Sequence, residues 1–89
     1  MVGLDGRFAI AIDDVWNEIA RAKMIHQGEF HGPHEGWAII AEELNKELWE
    51  LVCLNWRKTG LAEADYKAKM REEAIQVAAM AIRFAAEVC

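Results

Sequence analysis

Apolar residues recur at spacings of three and four along three separate segments of this 89-residue chain. The first segment runs from about Gly6 to about His26 and carries Phe8, Ile12, Val15, Ile19 and Ala22. This spacing places apolar side chains on one face of an α-helix. Asp5 precedes the segment and is a suitable N-cap. Because no segment shows the alternation of a strand, the pattern predicts an all-α chain.

Two short breaks divide the chain, one at Gln27 to Gly32 and one that contains Arg57, Lys58, Thr59 and Gly60. The second helix is predicted from Pro33, which suits a first helical position, to about Trp56. It has one broad apolar face: Trp37, Ile40, Ala41, Leu44, Leu48, Leu51 and Val52. The third helix begins between Leu61 and Tyr66, with Asp65 as one candidate cap, and continues to about Glu87. Trp16 and Trp37 fit core positions.

The third helix is apolar on too many sides for two neighbouring helices to cover. A row of large side chains lies beside a row of alanines: Tyr66, Met70, Val77, Met80 and Phe84 beside Ala74, Ala78, Ala81 and Ala85. The length is that of one domain, residues 1–89, which buries a limited share of its surface alone. We therefore expect a three-helix chain that forms an α-helical bundle completed by homo-oligomerisation.

Charge and composition exclude several classes of partner. The formal net charge of −5 disfavours a nucleic-acid partner, which usually requires a basic surface. No apolar stretch approaches the roughly 20 residues of a membrane span, so no membrane partner is expected. With no signal peptide at its start, the chain is expected in a reducing cytoplasm, with Cys53 and Cys89 as free thiols.

Glutamates on the second and third predicted helices are the most informative polar residues. Glu43, Glu47 and Glu50 form a stripe at spacings of four and three, which could also be a solvated edge. Glu73 lies within the apolar row of the third helix, where a carboxylate must be paired, protonated or bound to a metal. If the two helices pack together, Glu73 could face Glu43 and Glu47. Carboxylates that converge in a helical bundle are typical ligands of Mg²⁺ or Mn²⁺. An ion pair is the alternative for Glu73, with Arg7, Arg21, Lys46 or Arg71 as partner.

Two blocks carry a resemblance to a known family: HEGWAIIAEEL at 34–44 and REEAIQVAAMA at 71–81. Over about residues 18 to 86, the chain resembles the small MazG-like proteins of the all-α nucleoside triphosphate pyrophosphohydrolase superfamily, many of which are carried by phages and mobile elements. The resemblance implies a helical bundle assembled as a homodimer or homotetramer. It also implies Mg²⁺-dependent cleavage of a nucleoside triphosphate to the monophosphate and pyrophosphate.

The metal motif of that family is Glu-Glu-x-x-Glu on one helix and Glu-x-x-Asp on the next. Glu42 and Glu43 match the start of the first half, and Glu73 matches the start of the second. The chain departs from the motif at Lys46, which is followed by Glu47, and at Gln76, which replaces the Asp. The resemblance implies the following cation ligands: Glu42, Glu43, Glu47, Glu73 and Gln76. Among them, Glu43, Glu47 and Glu73 are expected to be catalytic.

Basic and aromatic residues are candidates for substrate binding. Arginines and lysines around the second break could receive triphosphate oxygens or form a solvated loop: Arg57, Lys58, Lys67, Lys69 and Arg71. Lys46 adds a positive charge at the proposed site. Trp49 and Trp56, seven apart, could stack on a nucleobase or lie in a subunit interface. Histidines near the first break could bind zinc or be exposed: His26, His31 and His34, with Glu35.

These observations support two functional hypotheses. The first is an oligomeric pyrophosphohydrolase that acts on a nucleoside triphosphate with Mg²⁺, or with Mn²⁺ as the alternative cation. The second is a non-catalytic helical oligomer that retains the scaffold and binds a nucleotide or a protein partner. Lys46 and Gln76 motivate the second hypothesis, because both reduce the negative charge of the proposed cation site.

Overall fold

The structure is a computed structural model that describes residues 5–25, 28–57 and 62–89. Its regular elements are α1 (Gly6–Ile25), α2 (Pro33–Glu42), a π-helical segment (Glu43–Leu48), α3 (Trp49–Arg57) and α4 (Glu63–Glu87). Because α2, the π segment and α3 follow one another without a break, we refer to residues 33–57 as the rod. Three helical bodies without strands in the described ranges confirm the predicted all-α class. None of the helices described combines the length and apolarity that crossing a bilayer requires.

The helix starts follow local capping chemistry. A carboxylate oxygen of Asp5 accepts the backbone N–H of Arg7 at 2.8 Å, which confirms Asp5 as the cap of α1. The prediction of Asp65 as the cap of α4 is wrong. Ala62 has extended backbone angles and precedes Glu63, so α4 begins earlier than Asp65. Asp65 lies in the first turn, where a negative charge is favourable to the helix dipole.

Helix α4 is the element against which the others pack. It contacts α1 on one side and all three parts of the rod on another. Among the described residues, α1 and the rod share no close backbone contact. An open groove therefore separates α1 from the rod, and α4 lies at the base of this groove.

This open arrangement leaves a small core. The buried apolar side chains among the described residues are Val15, Ala22, Phe30, Tyr66 and Ala79. Trp16 and Trp37, predicted in the core, are 72% and 64% exposed, so that prediction is wrong. Both lie on helix faces that α4 does not reach, and neither helix covers the other.

A polar cluster ties the start of the connection into α2 to the end of α4. The Glu87 carboxylate accepts the Phe30 backbone N–H at 2.9 Å and the Arg83 Nε–H at 2.8 Å. The Arg83 guanidinium also donates to the Gly28 carbonyl at 3.2 Å and lies 4.6 Å from the centre of the Phe30 ring. Both charged side chains are at least nine-tenths buried. We refer to this ion pair as the Arg83–Glu87 clamp.

A glycine sets how closely the rod approaches α4. A Cβ atom at Gly36 would lie 2.5 Å from a ring carbon of Phe84 and 3.2 Å from one of Phe30. Real carbon–carbon contacts are about 3.5–4.0 Å, so any side chain at this position would push α2 away. The absence of a side chain at Gly36 therefore sets how closely the rod approaches α4.

Candidate metal centre between the rod and α4

Three carboxylates meet where the π segment faces α4. Glu43 and Glu47 belong to the π segment and Glu73 belongs to α4. One oxygen of each lies within 4.8 Å of the others. Glu43 and Glu73 are half-buried, whereas Glu47 is exposed. The structure thus brings together the three residues that were predicted to converge, and we refer to them as the carboxylate cluster.

The π segment decides which residue joins Glu43 in the cluster. The backbone N–H of Trp49 donates to the carbonyl of Leu44, which is the i→i+5 bond of a π-helix. Such a turn contains about one residue more than the i→i+4 turn of an α-helix. Glu47 therefore takes the place that residue 46 would hold in a regular helix. Lys46 is exposed and lies outside the three-carboxylate group.

The electrostatics of the cluster disfavour full ionisation. Partial burial raises the pKa of Glu73 to about 7, and the negative charge of Glu47 and hydrogen bonding with Glu43 add to the rise. Burial, and then the charge of Glu47, also raise the pKa of Glu43. At neutral pH without a bound cation, Glu73 is therefore partly protonated.

Gln76 bridges two members of the cluster. In the amide orientation that satisfies its neighbours, Gln76 Nε2 donates to a Glu43 oxygen at 3.0 Å and to a Glu73 oxygen at 3.2 Å. Its side chain is half-buried in α4, one turn after Glu73. Gln76 thus lies at the cluster, as its motif position implied, and it partly compensates the carboxylate charge.

The ion-pair alternative for Glu73 does not describe this structure. Its candidate partners pair elsewhere: Arg7 with Asp5, Arg21 with Glu18, and Arg71 with Asp14. Within the described ranges, no salt bridge joins an arginine or lysine to a member of the carboxylate cluster. The cluster therefore contains acids that no basic side chain of the described chain neutralises.

Other predicted site residues lie apart from the cluster. Glu42 is exposed and is not a member of the three-carboxylate group. Arg71 reaches across to α1, where its guanidinium lies 2.6 Å from Asp14. Trp49 lines a groove with Val52, Cys53 and Trp56, all on α3. The Arg57 side chain, Lys58 and His26 lie outside the described residues. Of the zinc candidates, His31 is exposed and 4.0 Å from Glu35, and no described group of three ligands includes them.

Two grooves reach the cluster. The first, between α1 and the rod, has a volume of about 510 Å³ and reaches the cluster at Glu43 and Gln76. We refer to it as the mixed groove, because apolar and charged side chains line it together: Phe30, Ile39 and Met80 with Arg21, Glu29 and Arg83. The second, which we refer to as the lysine groove, has a volume of about 560 Å³ and reaches the cluster at Glu47 and Glu73. Two lysines and four glutamates line it: Lys46 and Lys69 with Glu47, Glu50, Glu72 and Glu73.

Sequence reasoning missed the mixed groove and the Arg83–Glu87 clamp beside it. Met80 had been placed in the apolar row of the third helix, Ile39 had been given no role, and Lys69 had been grouped with the other basic residues. An arginine and a glutamate four apart on a largely apolar helix end were a signal for the clamp. Their partners at residues 28 and 30 are distant in sequence and follow only from the fold.

Comparisons of the chain with known protein families, with curated proteins and with solved structures returned no match. The features of this chain that bear on its function are the geometry of the carboxylate cluster and the two grooves that reach it.

Proposed function

We propose that this protein is a Mg²⁺-dependent nucleoside triphosphate pyrophosphohydrolase. Its products would be a nucleoside monophosphate and pyrophosphate. The observation that carries the proposal is the carboxylate cluster, which no basic side chain of the described residues neutralises and which both the mixed groove and the lysine groove reach. Such an arrangement suits a phosphorylated substrate whose negative charge is balanced by a cation at the cluster together with the two lysines.

A hard divalent cation would fit the cluster once the carboxylate oxygens move slightly closer together. Oxygens that share an octahedral Mg²⁺ at about 2.0–2.1 Å lie about 3–4 Å apart. The cluster oxygens lie within 4.8 Å of one another, so rotamer changes would suffice to bring them into one shell. Rotation of the Gln76 amide would turn its oxygen toward the same point, while Glu42 is available at the exposed edge. A bound Mg²⁺ would supply charge neutralisation, polarisation of a phosphate and an activated water.

The two grooves would orient the substrate. The mixed groove has a volume within the range of small-molecule sites and would hold the nucleoside against Ile39 and Met80. Lys46 and Lys69 would receive oxygens of the terminal phosphates in the lysine groove, where a bound cation would offset the charge of the four glutamates. The α-phosphate would then lie at the cluster. The oxygen of a water would bond to the α-phosphorus as the bond to the α,β-bridging oxygen breaks, and a cluster carboxylate would accept the proton of the water.

The family resemblance supports the same proposal. Its first metal helix has one residue fewer between the second and third glutamates than Glu43 and Glu47 have between them. A π turn contains about one residue more than an α turn, and the π segment starts at Glu43. The π turn thus accommodates the extra residue at the point where this chain departs from the family motif. Lys46 lies outside the carboxylate cluster as a result and lines the lysine groove.

The test is release of pyrophosphate from a panel of ribo- and deoxyribonucleoside triphosphates with Mg²⁺. We expect Glu43→Gln and Glu73→Gln to reduce kcat/KM at least about 100-fold, a loss typical of groups that stabilise transition-state charge. Glu63→Gln is the matched control, since Glu63 is exposed and pairs with the exposed Lys67 near the start of α4, outside the carboxylate cluster. Absence of turnover for every nucleotide, with wild type equal to Glu73→Gln, contradicts the proposal.

The second candidate is the non-catalytic oligomer, which the neutral Gln76 and the cationic Lys46 favour by lowering the negative charge near the cation. Calorimetry with Mg²⁺ and Mn²⁺ separates it from the enzyme. Cation binding that Glu43→Gln abolishes, together with turnover, supports the enzyme. Nucleotide binding without turnover and without a cation requirement supports the binding protein.

A further inference from the structure

The Arg83–Glu87 clamp and the carboxylate cluster lie at different points along the mixed groove. One stripe of α4 joins them, with residues at spacings of three and four: Glu73, Gln76, Met80, Arg83 and Glu87. Gln76 and Arg83 both line the groove, and the seven residues between their positions correspond to about 10 Å along a helix. A ligand that is bound at the cluster and extends along this stripe therefore approaches the clamp.

The wall of the mixed groove beside the clamp is part of the connection into α2. Gly28, Glu29 and Phe30 line the groove there, and we refer to these three residues as the end wall. They belong to no helix, so helical hydrogen bonds do not fix their backbone. Instead, Arg83 donates to the Gly28 carbonyl at 3.2 Å and Glu87 accepts the Phe30 N–H at 2.9 Å. The end wall is therefore held from α4.

The clamp also holds the ring of Phe30. This side chain is buried, and the carbon at the centre of the Arg83 guanidinium lies 4.6 Å from the centre of its ring. That distance is within the range of a cation–π interaction. The ring also lies close to α2, since a Cβ atom at Gly36 would be 3.2 Å from one of its carbons. Contacts with both α4 and α2 thus leave the ring little freedom to move.

Arg83 acts on the mixed groove through the end wall. Its Nε and Nη2 atoms donate to Glu87, and Nη2 also donates to Gly28, so these donors are engaged within the chain. A lysine at this position could balance the charge of Glu87. It would have neither the planar group that stacks on Phe30 nor the fork of donors that joins Glu87 to Gly28. The end wall therefore depends on an arginine, and not only on a positive charge.

We propose that Arg83 is a positioning residue that determines how tightly the mixed groove binds the nucleoside end of the substrate. This inference rests on the proposed function, which has the phosphates at the cluster and the nucleoside in the mixed groove. A wall that is fixed before binding loses little conformational entropy when the ligand binds, which favours affinity. Loosening the end wall therefore weakens binding of the nucleoside, whereas the contacts to the phosphates at the cluster remain.

Calorimetry of the full chain in MgCl₂ with two kinds of ligand tests this proposal. The first is a panel of α,β-methylene nucleoside triphosphates, whose α,β bond resists hydrolysis, and the second is inorganic tripolyphosphate, which has no nucleoside. Arg83→Lys is expected to raise the Kd of the tightest-binding analogue about 10-fold and to change the Kd of tripolyphosphate less than about twofold. Arg7→Lys is the matched control, because Arg7 is exposed and pairs with Asp5 at the start of α1. It should leave both constants unchanged, and circular dichroism verifies the helical content of both variants.

The comparison of the two constants decides the outcome. A rise confined to the nucleoside analogue supports the proposal, whereas an unchanged analogue Kd or an equal rise for both ligands overturns it. If Arg83→Lys fails to fold, Phe30→Leu, which removes the ring of the end wall, gives the same comparison.

The same measurements separate this inference from the proposed function. A wild type that binds the analogues but releases no pyrophosphate contradicts the enzyme and leaves the comparison of constants intact. A wild type that binds tripolyphosphate and no nucleoside analogue overturns the role of Arg83 in nucleoside binding. A wild type that binds neither ligand overturns both proposals.

Discussion

Two acidic groups on α4 illustrate how the surroundings of a glutamate determine its role. Glu73 lies with Glu43 and Glu47 and without a basic partner among the described residues, and its pKa is raised to about 7. Glu87 lies with Arg83 and accepts the Phe30 N–H, and hydrogen bonding to Arg83 is the main reason that its pKa is lowered to about 2. Both are partly or largely buried. The difference is that the clamp is neutral overall, whereas the cluster has unbalanced negative charge.

This difference separates structural from functional use of the same residue type. The clamp is complete within the chain, because the charges and the polar groups at residues 28 and 30 satisfy one another. The cluster is incomplete, because its negative charge destabilises the folded chain unless a proton or a cation balances it. Perturbed acids of the second kind are the ones that concentrate at functional sites. The predictions below test this distinction.

Removal of the clamp cation should have the largest effect on stability. Arg83→Met is expected to lower the free energy of unfolding by about 3 kcal/mol, because it leaves the buried Glu87 carboxylate with the longer 3.6 Å contact to Lys23 in place of its charge-assisted hydrogen bonds. Arg71→Met is the matched control. Its salt bridge with Asp14 is largely exposed, so the expected loss is below about 1 kcal/mol. Urea titrations of the two variants measure the difference, and equal losses would contradict the role of the clamp as a buried structural ion pair.

Addition of Mg²⁺ should stabilise the cluster and leave the clamp unaffected. A ligand at about 100 times its Kd stabilises the folded state by about 2.7 kcal/mol, which raises Tm by several degrees in a chain of this size. Thermal unfolding with MgCl₂ against NaCl of equal ionic strength measures this effect. We expect Glu43→Gln to lose the Mg²⁺ response and Glu87→Gln to retain it at a lower starting Tm. A response that persists in Glu43→Gln would place the cation elsewhere.

The pH dependence of the free energy of unfolding should be a smaller effect than the two above, and it should have opposite signs for Glu87 and Glu73. The pKa of Glu87 is lowered from an ordinary value of 4.5 to about 2, so its stabilisation is present above pH 4.5 and is lost as the pH falls toward 2. The pKa of Glu73 is raised from 4.5 to about 7, so stability is highest below pH 4.5 and decreases as the pH rises toward 7. For Glu73 the change is about 1 kcal/mol after solvent screening.

Two variants identify the glutamate that causes each of these two decreases in stability. Glu73→Gln should flatten the decrease between pH 4.5 and 7 in the absence of divalent cations, and Glu87→Gln should flatten the decrease below pH 4.5. Chemical denaturation across pH 2–8 with a chelator provides the measurement. If the decrease in stability between pH 4.5 and 7 is unchanged in Glu73→Gln, Glu73 is not the group that titrates in that range.

The sequence was sufficient to predict the helices, but it predicted the meeting of Glu43, Glu47 and Glu73 only on the condition that the second and third helices pack together. Helical periodicity places each glutamate on a face, and the fold decides which faces meet. It was not sufficient for the π segment, because an i→i+5 turn arises from a one-residue change of register that spacing alone does not reveal. In the sequence, the sign of the π segment is Glu47, which stands one residue later than the family motif requires. Trp16 and Trp37 were misplaced because periodicity identifies an apolar face but not what covers it.

The central position of α4 has a consequence for how the chain is made. Both α1 and the rod precede α4 in the sequence, and both pack on it rather than on each other. During synthesis they leave the ribosome before their shared partner has been translated, and isolated helices of this length are marginal in water. The tertiary structure can therefore form only after α4 emerges. Until then the faces of α1 and the rod that pack on α4 are open to chaperones and to other nascent chains.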